Sequence, residues 1–185
     1  MTRLVPLEAP FEPAVAQQLE RMMPAGVPPI GLFRVFVRHL PMAEAVQHWG
    51  RYTLGRQLAL TRREREIVID RTCARTGCEY EWGVHVGMFA ERVSLSAEQV
   101  RSLTKGGPED SCWLDDGERL LIEAVDTLHD TSDLDDDLWD RLAAKFDQPQ
   151  LTDLLLLTGW YHAISYVARA GRLTAEPGTP RFSDV

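Results

Sequence analysis

Apolar positions recur at three- and four-residue spacing along most of the chain, broken by proline and glycine, and this period predicts helices. A short helix is expected over residues 12–23, followed by the breaker cluster Pro24-Ala25-Gly26-Val27-Pro28-Pro29. Leu32 to His39 reads as a helix stopped before Pro41, which suits the first turn of the next helix, to about Leu54. In that helix Ala45, Val46, Trp49 and Tyr52 share a side. Thr61-Arg62-Arg63-Glu64 is a capping box that opens a helix over 62–75, ended by Gly77 in a left-handed conformation. The next helix runs from Cys78 to about Arg92. Ser96-Ala97-Glu98-Gln99 is a second capping box, for a helix ending near Gly106-Gly107. Asp115-Asp116-Gly117-Glu118 opens a helix to about His129. The acidic run Asp133 to Asp137 suits the positive end of another, to about Phe146. Pro149 starts the last, to about Ala170.

No stretch alternates apolar and polar residues with β-branched enrichment, and no repeat recurs at a fixed period. The expected fold is an all-α, single-domain bundle of six to eight helices. Residues 1–30 would form an N-terminal helix and proline-rich lead-in, 31–170 the helical domain, and 171–185 an irregular tail.

Composition narrows the function. A formal net charge of -8 disfavours nucleic acid as a partner, since phosphate contacts need clustered cations in excess. The longest purely apolar run, Leu154 to Leu157, is far too short for a bilayer. Three cysteines, Cys73, Cys78 and Cys112, argue against a disulfide scaffold and for a reducing compartment. With no apolar signal core over Met1–Pro6, the expected location is the cytoplasm.

The densest candidate chemistry lies in Thr76-Gly77-Cys78-Glu79-Tyr80-Glu81-Trp82-Gly83-Val84-His85. On a helix beginning at Cys78, positions 78, 81, 82, 85 and 89 fall on one stripe. A thiol, a carboxylate and an imidazole thus share a face flanked by Trp82 and Phe89. A helix N-terminus and a protonated His85 would lower the Cys78 pKa, and Glu81 would raise it. On the preceding helix Glu66 and Asp70 lie one turn apart, and their repulsion would raise one pKa and make a proton donor. Arg62, Arg63, Arg65, Arg71 and Arg75 crowd the same region as candidate carboxylate binders. Tyr80 and Trp82 read as packing residues, and Leu154, Leu155, Leu157 and Tyr161 as a possible subunit contact. Neither a metal-ligating motif, nor a glycine-rich phosphate loop, nor a Gly-x-Ser-x-Gly elbow is present.

Arg65-Glu66-Ile67-Val68-Ile69 through Cys78-Glu79-Tyr80-Glu81-Trp82 to His85 resembles the signature of the carboxymuconolactone decarboxylase family, which shares its fold with alkylhydroperoxidase D-type proteins. The resemblance is strongest over 61–92 and looser over about 32 to 170. In the alkylhydroperoxidase D-type members a Cys-x-x-Cys pair performs dithiol chemistry, with a glutamate and a histidine as proton relay. Carried over, the first cysteine falls on Cys78, the glutamate on Glu66 and the histidine on His85, while Glu81 replaces the second cysteine. The resemblance therefore implies the decarboxylase branch: an enzyme without a cofactor or metal, acting on a small organic acid or lactone. Glu66, Cys78, Glu81 and His85 are its site residues, and it forms a homo-oligomer, a trimer or hexamer. One alternative is a thiol-dependent peroxidase using Cys78 through a sulfenic acid, resolved by Cys73 or an outside thiol. Another is a non-catalytic oligomeric scaffold.

Overall fold

The computed structural model describes residues 1–185 and contains no strand. Its α-helices are α1 (Pro13–Met22), α2 (Gly31–Phe36), α3 (Leu40–Thr53), α4 (Arg62–Arg75), α5 (Glu79–Phe89), α6 (Ala97–Lys105), α7 (Asp116–Thr131), α8 (Asp136–Ala143) and α9 (Gln148–Ala170). Short 3-10 turns lie at Glu91–Val93 and Phe182–Asp184. The all-α class is as expected, but the helices number nine, not six to eight. Each of the nine segments read from the sequence forms its own helix, so only the total of six to eight was too low, and two of the breaks have a clear local cause. Pro41 cannot donate a backbone N–H within a helix, so α2 and α3 break at Val37–His39. Asp147 opens a new capping box with Gln150, so α8 and α9 break there.

The centre of the bundle is α4, which packs against α5, α6, α7 and α9. Burial on every side explains Ile67, Val68, Ile69 and Cys73, each 0% exposed. It also forces Arg65, Glu66, Asp70 and Arg71 into the interior, where charges persist only with partners. Arg71 finds Asp126 at 2.6 and 2.7 Å and the carbonyls of Leu103 and Gly106 at 2.9 Å each. The expected Thr61 capping box starts α4, with Thr61 Oγ1 accepting from Glu64 N at 3.2 Å.

The turn from α4 to α5 positions the site. Gly77 adopts φ +67°, Gly77 N donates to Ala74 O at 3.0 Å, and Cys78 N donates to Cys73 O at 2.7 Å. This paired closure reverses the chain within three residues and lays α5 against α4. The tail covers the far side of α5. Phe182 lies against Trp82, ring centroids 5.1 Å apart, and a Cβ on Gly83 would sit 2.7 Å from Pro180 O. Of the expected α9 contact stripe, only Leu155 is exposed. Leu154, Leu157 and Tyr161 are buried in their own chain, because the all-round apolar run gives no periodicity to tell the inner side from the outer. No helix is long and apolar enough to cross a membrane.

Candidate active site

Glu66 occupies the inner side of α4 with its side chain fully excluded from solvent. Its Oε1 accepts from Arg65 Nε at 2.7 Å, and Arg65 Nη2 lies 2.6 Å away. Its Oε2 lies 2.8 Å from His85 Nδ1 on α5. The other ring nitrogen, Nε2, lies 2.9 Å from the Tyr161 hydroxyl on α9. Three helices thus align a carboxylate, an imidazole and a phenol, each at hydrogen-bond distance. When His85 carries one proton, the Glu66 carboxylate holds it on Nδ1, and Nε2 then accepts from the Tyr161 O–H. Glu81 stands one turn before His85, its Oε2 3.9 Å from Nε2. The other Glu81 oxygen, Oε1, is buried without a partner.

Electrostatics divide the carboxyl groups into two kinds. Burial pushes Glu66 up, but His85 and Arg65 outweigh it and hold the group below the usual carboxylate range, ionised. Burial raises Glu81, with Glu176 adding to it and His85 opposing. Asp70, one turn along α4, is raised well above the ordinary value by burial and by Glu66, and neither of its oxygens has a partner. The repulsion expected between Glu66 and Asp70 is present, and Asp70 takes the proton. Folded Asp70 keeps that proton while the unfolded chain releases it near about 3.9. Between the two pKa values the folded state binds more protons, so this group's contribution falls as pH rises. Asp70→Asn, which has no titrating proton at this position, should therefore gain in stability relative to the wild type as pH rises toward 8. The gain should shrink toward pH 4 in denaturant titrations.

A cavity of 440 Å³ opens onto this cluster. Glu81, His85 and Tyr161 form its polar end, and Leu32, Phe36, Met88, Phe89, Trp160 and Ile164 contribute to its apolar walls. The Phe89 ring lies 5.4 Å from that of His85. Glu66 does not line the cavity and sits behind His85, reaching it only through the imidazole.

Cys78 stands apart. It is 0% exposed and not among the cavity's lining residues. Burial pushes its thiol up, the Glu81 charge adds to this, and the Glu81 backbone N–H, Ser165 and Arg169 offset only part. The competition left open by the sequence is thus won by desolvation. The stripe of five residues also divides: Glu81, His85 and Phe89 face the cavity, while Trp82 points under the tail.

The sequence-nominated arginines do not serve the cavity. Arg63 pairs with Glu118, Arg65 with Glu66, Arg71 with Asp126, and Arg75 with Asp130; Arg62 is exposed. The cations at the cavity are Arg21 and Arg51. Tyr161 was likewise missed, and nothing local marks it. Its place beside His85 comes from a contact across 76 positions of sequence. No group of three or more histidine, cysteine or acidic side chains is placed to hold a metal ion.

Fold and site together define an all-helical protein with a buried carboxylate–imidazole–phenol chain at the end of an apolar cavity. Residues 41–106, from α3 through α6, match the model of the Carboxymuconolactone decarboxylase family. No curated protein matches the chain. Among solved structures, an uncharacterized peroxidase-related protein from Silicibacter sp. TM1040 superposes with a TM-score of 0.84 at 16% identity, covering 98% of this chain and 95% of its own. A protein of unknown function from Agrobacterium tumefaciens, provisionally assigned to antioxidant defence as AhpD, gives 0.62 at 20% identity over 72% and 89%. The debrominase Bmp8, as a cysteine-to-alanine variant in complex with 2,3,4-tribromopyrrole, gives 0.77 at 14% identity over 96% and 93%. At these identities the likeness establishes the fold, which is AhpD-like.

Proposed function

We propose that the protein is an acid–base enzyme that moves a proton at a carbon next to a carbonyl group, by decarboxylation or a related proton transfer on a small organic acid or lactone. The observation that carries this reading is the Glu66–His85–Tyr161 chain, with distances of 2.8 and 2.9 Å, ending in an apolar cavity beside Glu81. Loss of carbon dioxide from a lactone acid breaks the bond to the carboxylate carbon. The electron pair moves into the conjugated carbonyl as an enolate, and a proton must then reach carbon. Tyr161 and Glu81 supply donors at the cavity wall, which stabilise the enolate oxygen or deliver the proton. Once His85 has taken a second proton from solvent, with the Glu66 carboxylate balancing the imidazolium, it returns that proton from Nε2 to the Tyr161 phenolate. This chemistry needs no group beyond these side chains. An apolar cavity strengthens each hydrogen bond by excluding water.

The thiol-dependent peroxidase reading has one supporting feature, the Cys78 backbone N–H bonded to Cys73 O, which keeps two cysteines near each other. Against it, both thiols are buried and pushed up by that burial. The cavity reaching His85 argues against a non-catalytic scaffold. A homo-oligomer fits the exposed Leu155, Leu156 and Tyr166 on α9.

The test is incubation of the purified protein with unsaturated lactone acids of the carboxymuconolactone type in D2O. Carbon dioxide release with one deuterium at the protonated carbon of the product is expected. Reduction of organic hydroperoxides at the expense of added thiol, with no carbon dioxide from any lactone acid, would replace this reading with the peroxidase one.

A further inference from the structure

The cavity is asymmetric in charge. Its inner end carries Glu81, His85 and Tyr161, its walls are mainly apolar, and its only cations, Arg21 and Arg51, are exposed side chains. Neither has an ion-pair partner, whereas Arg63, Arg65, Arg71 and Arg75 on α4 are all matched to carboxylates. The two differ in how they are held. Arg51 lies one helical turn after Gln47, a second cavity residue, whose amide oxygen, turned toward it, accepts from Arg51 Nε at 2.5 Å and from Nη2 at 3.2 Å. That contact orients the guanidinium and leaves Nη1 free. An unpaired, oriented guanidinium on the rim of an apolar cavity is suited to a planar carboxylate. The only acid lining the cavity is Glu81, which is buried, whereas Arg51 is exposed.

We propose that Arg51 anchors a non-reacting carboxylate of the substrate. The substrate class is then an acid with an apolar, unsaturated or ring body, bound carboxylate-outward so that its far end meets Tyr161 and Glu81. This rests on the cavity being the substrate site of the acid–base reading. Arg51 is a specificity residue here and takes no part in proton transfer. Anchoring at the rim fixes which carbon faces the donors, and orientation of that kind is a large part of what a site of this type contributes. The apolar walls hold the body by desolvation and reject a substrate with charge along its length.

Isothermal titration calorimetry at pH 7 with trans-cinnamate and its neutral counterpart cinnamamide tests this directly. Cinnamate should bind the wild type more tightly than cinnamamide does. Arg51→Ala should weaken cinnamate by about tenfold or more and leave cinnamamide unchanged. Arg51→Lys should recover part of the loss, and Arg62→Ala, a change at an exposed arginine outside the cavity, should have no effect. Equal affinity for acid and amide, an Arg51→Ala protein that binds cinnamate like the wild type, or no binding of either probe would overturn the proposal. Calorimetry reads occupancy, whereas carbon dioxide release reads chemistry. Arg51-dependent binding without turnover would therefore remove the reaction and keep the anchor, and turnover without Arg51 dependence would do the reverse.

Discussion

Glu66→Ala should cost about 3–5 kcal/mol of folding stability, the penalty for breaking a buried ion pair by removing one partner. The variant keeps the Arg65 side chain, of which only 4% is exposed, and takes away both of its guanidinium contacts to Glu66 Oε1. One neutral acceptor remains, the carbonyl of Leu54 at 3.0 Å from Nη1. His85 Nδ1 loses its partner at the same time. A surface ion pair would count for little, but water cannot reach this one to compensate. Glu66→Gln should lose less, because the shape is kept while the charge goes. The pH dependence has a definite sign. Folded Glu66 is held below its unfolded value, so the unfolded chain binds its proton first as pH falls. The Glu66 contribution is therefore full above about pH 4.3 and is lost as pH falls through the folded pKa. Denaturant titrations of the wild type from pH 7 to pH 3 should show that acid-side loss. The same series on Glu66→Ala should show less of it. Equal midpoints for wild type and Glu66→Ala at pH 7 would mean that Arg65 is not buried against this carboxylate.

His85→Ala should lower turnover of the lactone acid by a factor of about 10²–10⁴, the usual worth of a positioned acid–base group. The imidazole is the only link between Glu66, which lies outside the cavity, and Tyr161, which lies within it. Without it Tyr161 still occupies the wall but has no group to exchange its proton with. Burial and the charges of Glu81 and Glu66 also push the phenol well above its ordinary value, so it does not ionise unaided. Tyr161→Phe removes the terminal hydroxyl alone and should cost less than His85→Ala if Glu81 still delivers a proton. The double variant should be little worse than His85→Ala, because groups acting as one unit are strongly non-additive. Fully multiplicative losses in the double variant would show that the two side chains act separately.

Much of the fold could be read from local signals. Thr61 and Ser96 state their helix starts through paired caps, and Gly77 states a helix end through the left-handed conformation it adopts. These features are set by neighbours in sequence. The site was legible in part for the same reason: Glu81 and His85 lie one turn apart on α5, and Glu66 faces them from the adjacent α4. Cys78 shares their segment, yet its surroundings depend on α9, from which Ser165 and Arg169 reach it. Tyr161 and Arg51 also belong to distant elements, and nothing around either residue marks it as part of a cavity. The α4 arginines showed the opposite problem. Their density suggested a carboxylate clamp, but α7 supplies Glu118, Asp126 and Asp130 to neutralise three of them. Local composition names the charges, and only packing decides which of them remain free.

The central claim is that proton transfer at His85 and its neighbours, and not sulfur chemistry at Cys78, is the work of this cavity. Steady-state turnover of the lactone acid by Cys78→Ala, beside the wild type under one condition, addresses it most directly. Activity within a few-fold of wild type is predicted, because the thiol is buried and outside the cavity lining. Loss of turnover to background in a Cys78→Ala protein that remains folded would contradict the account.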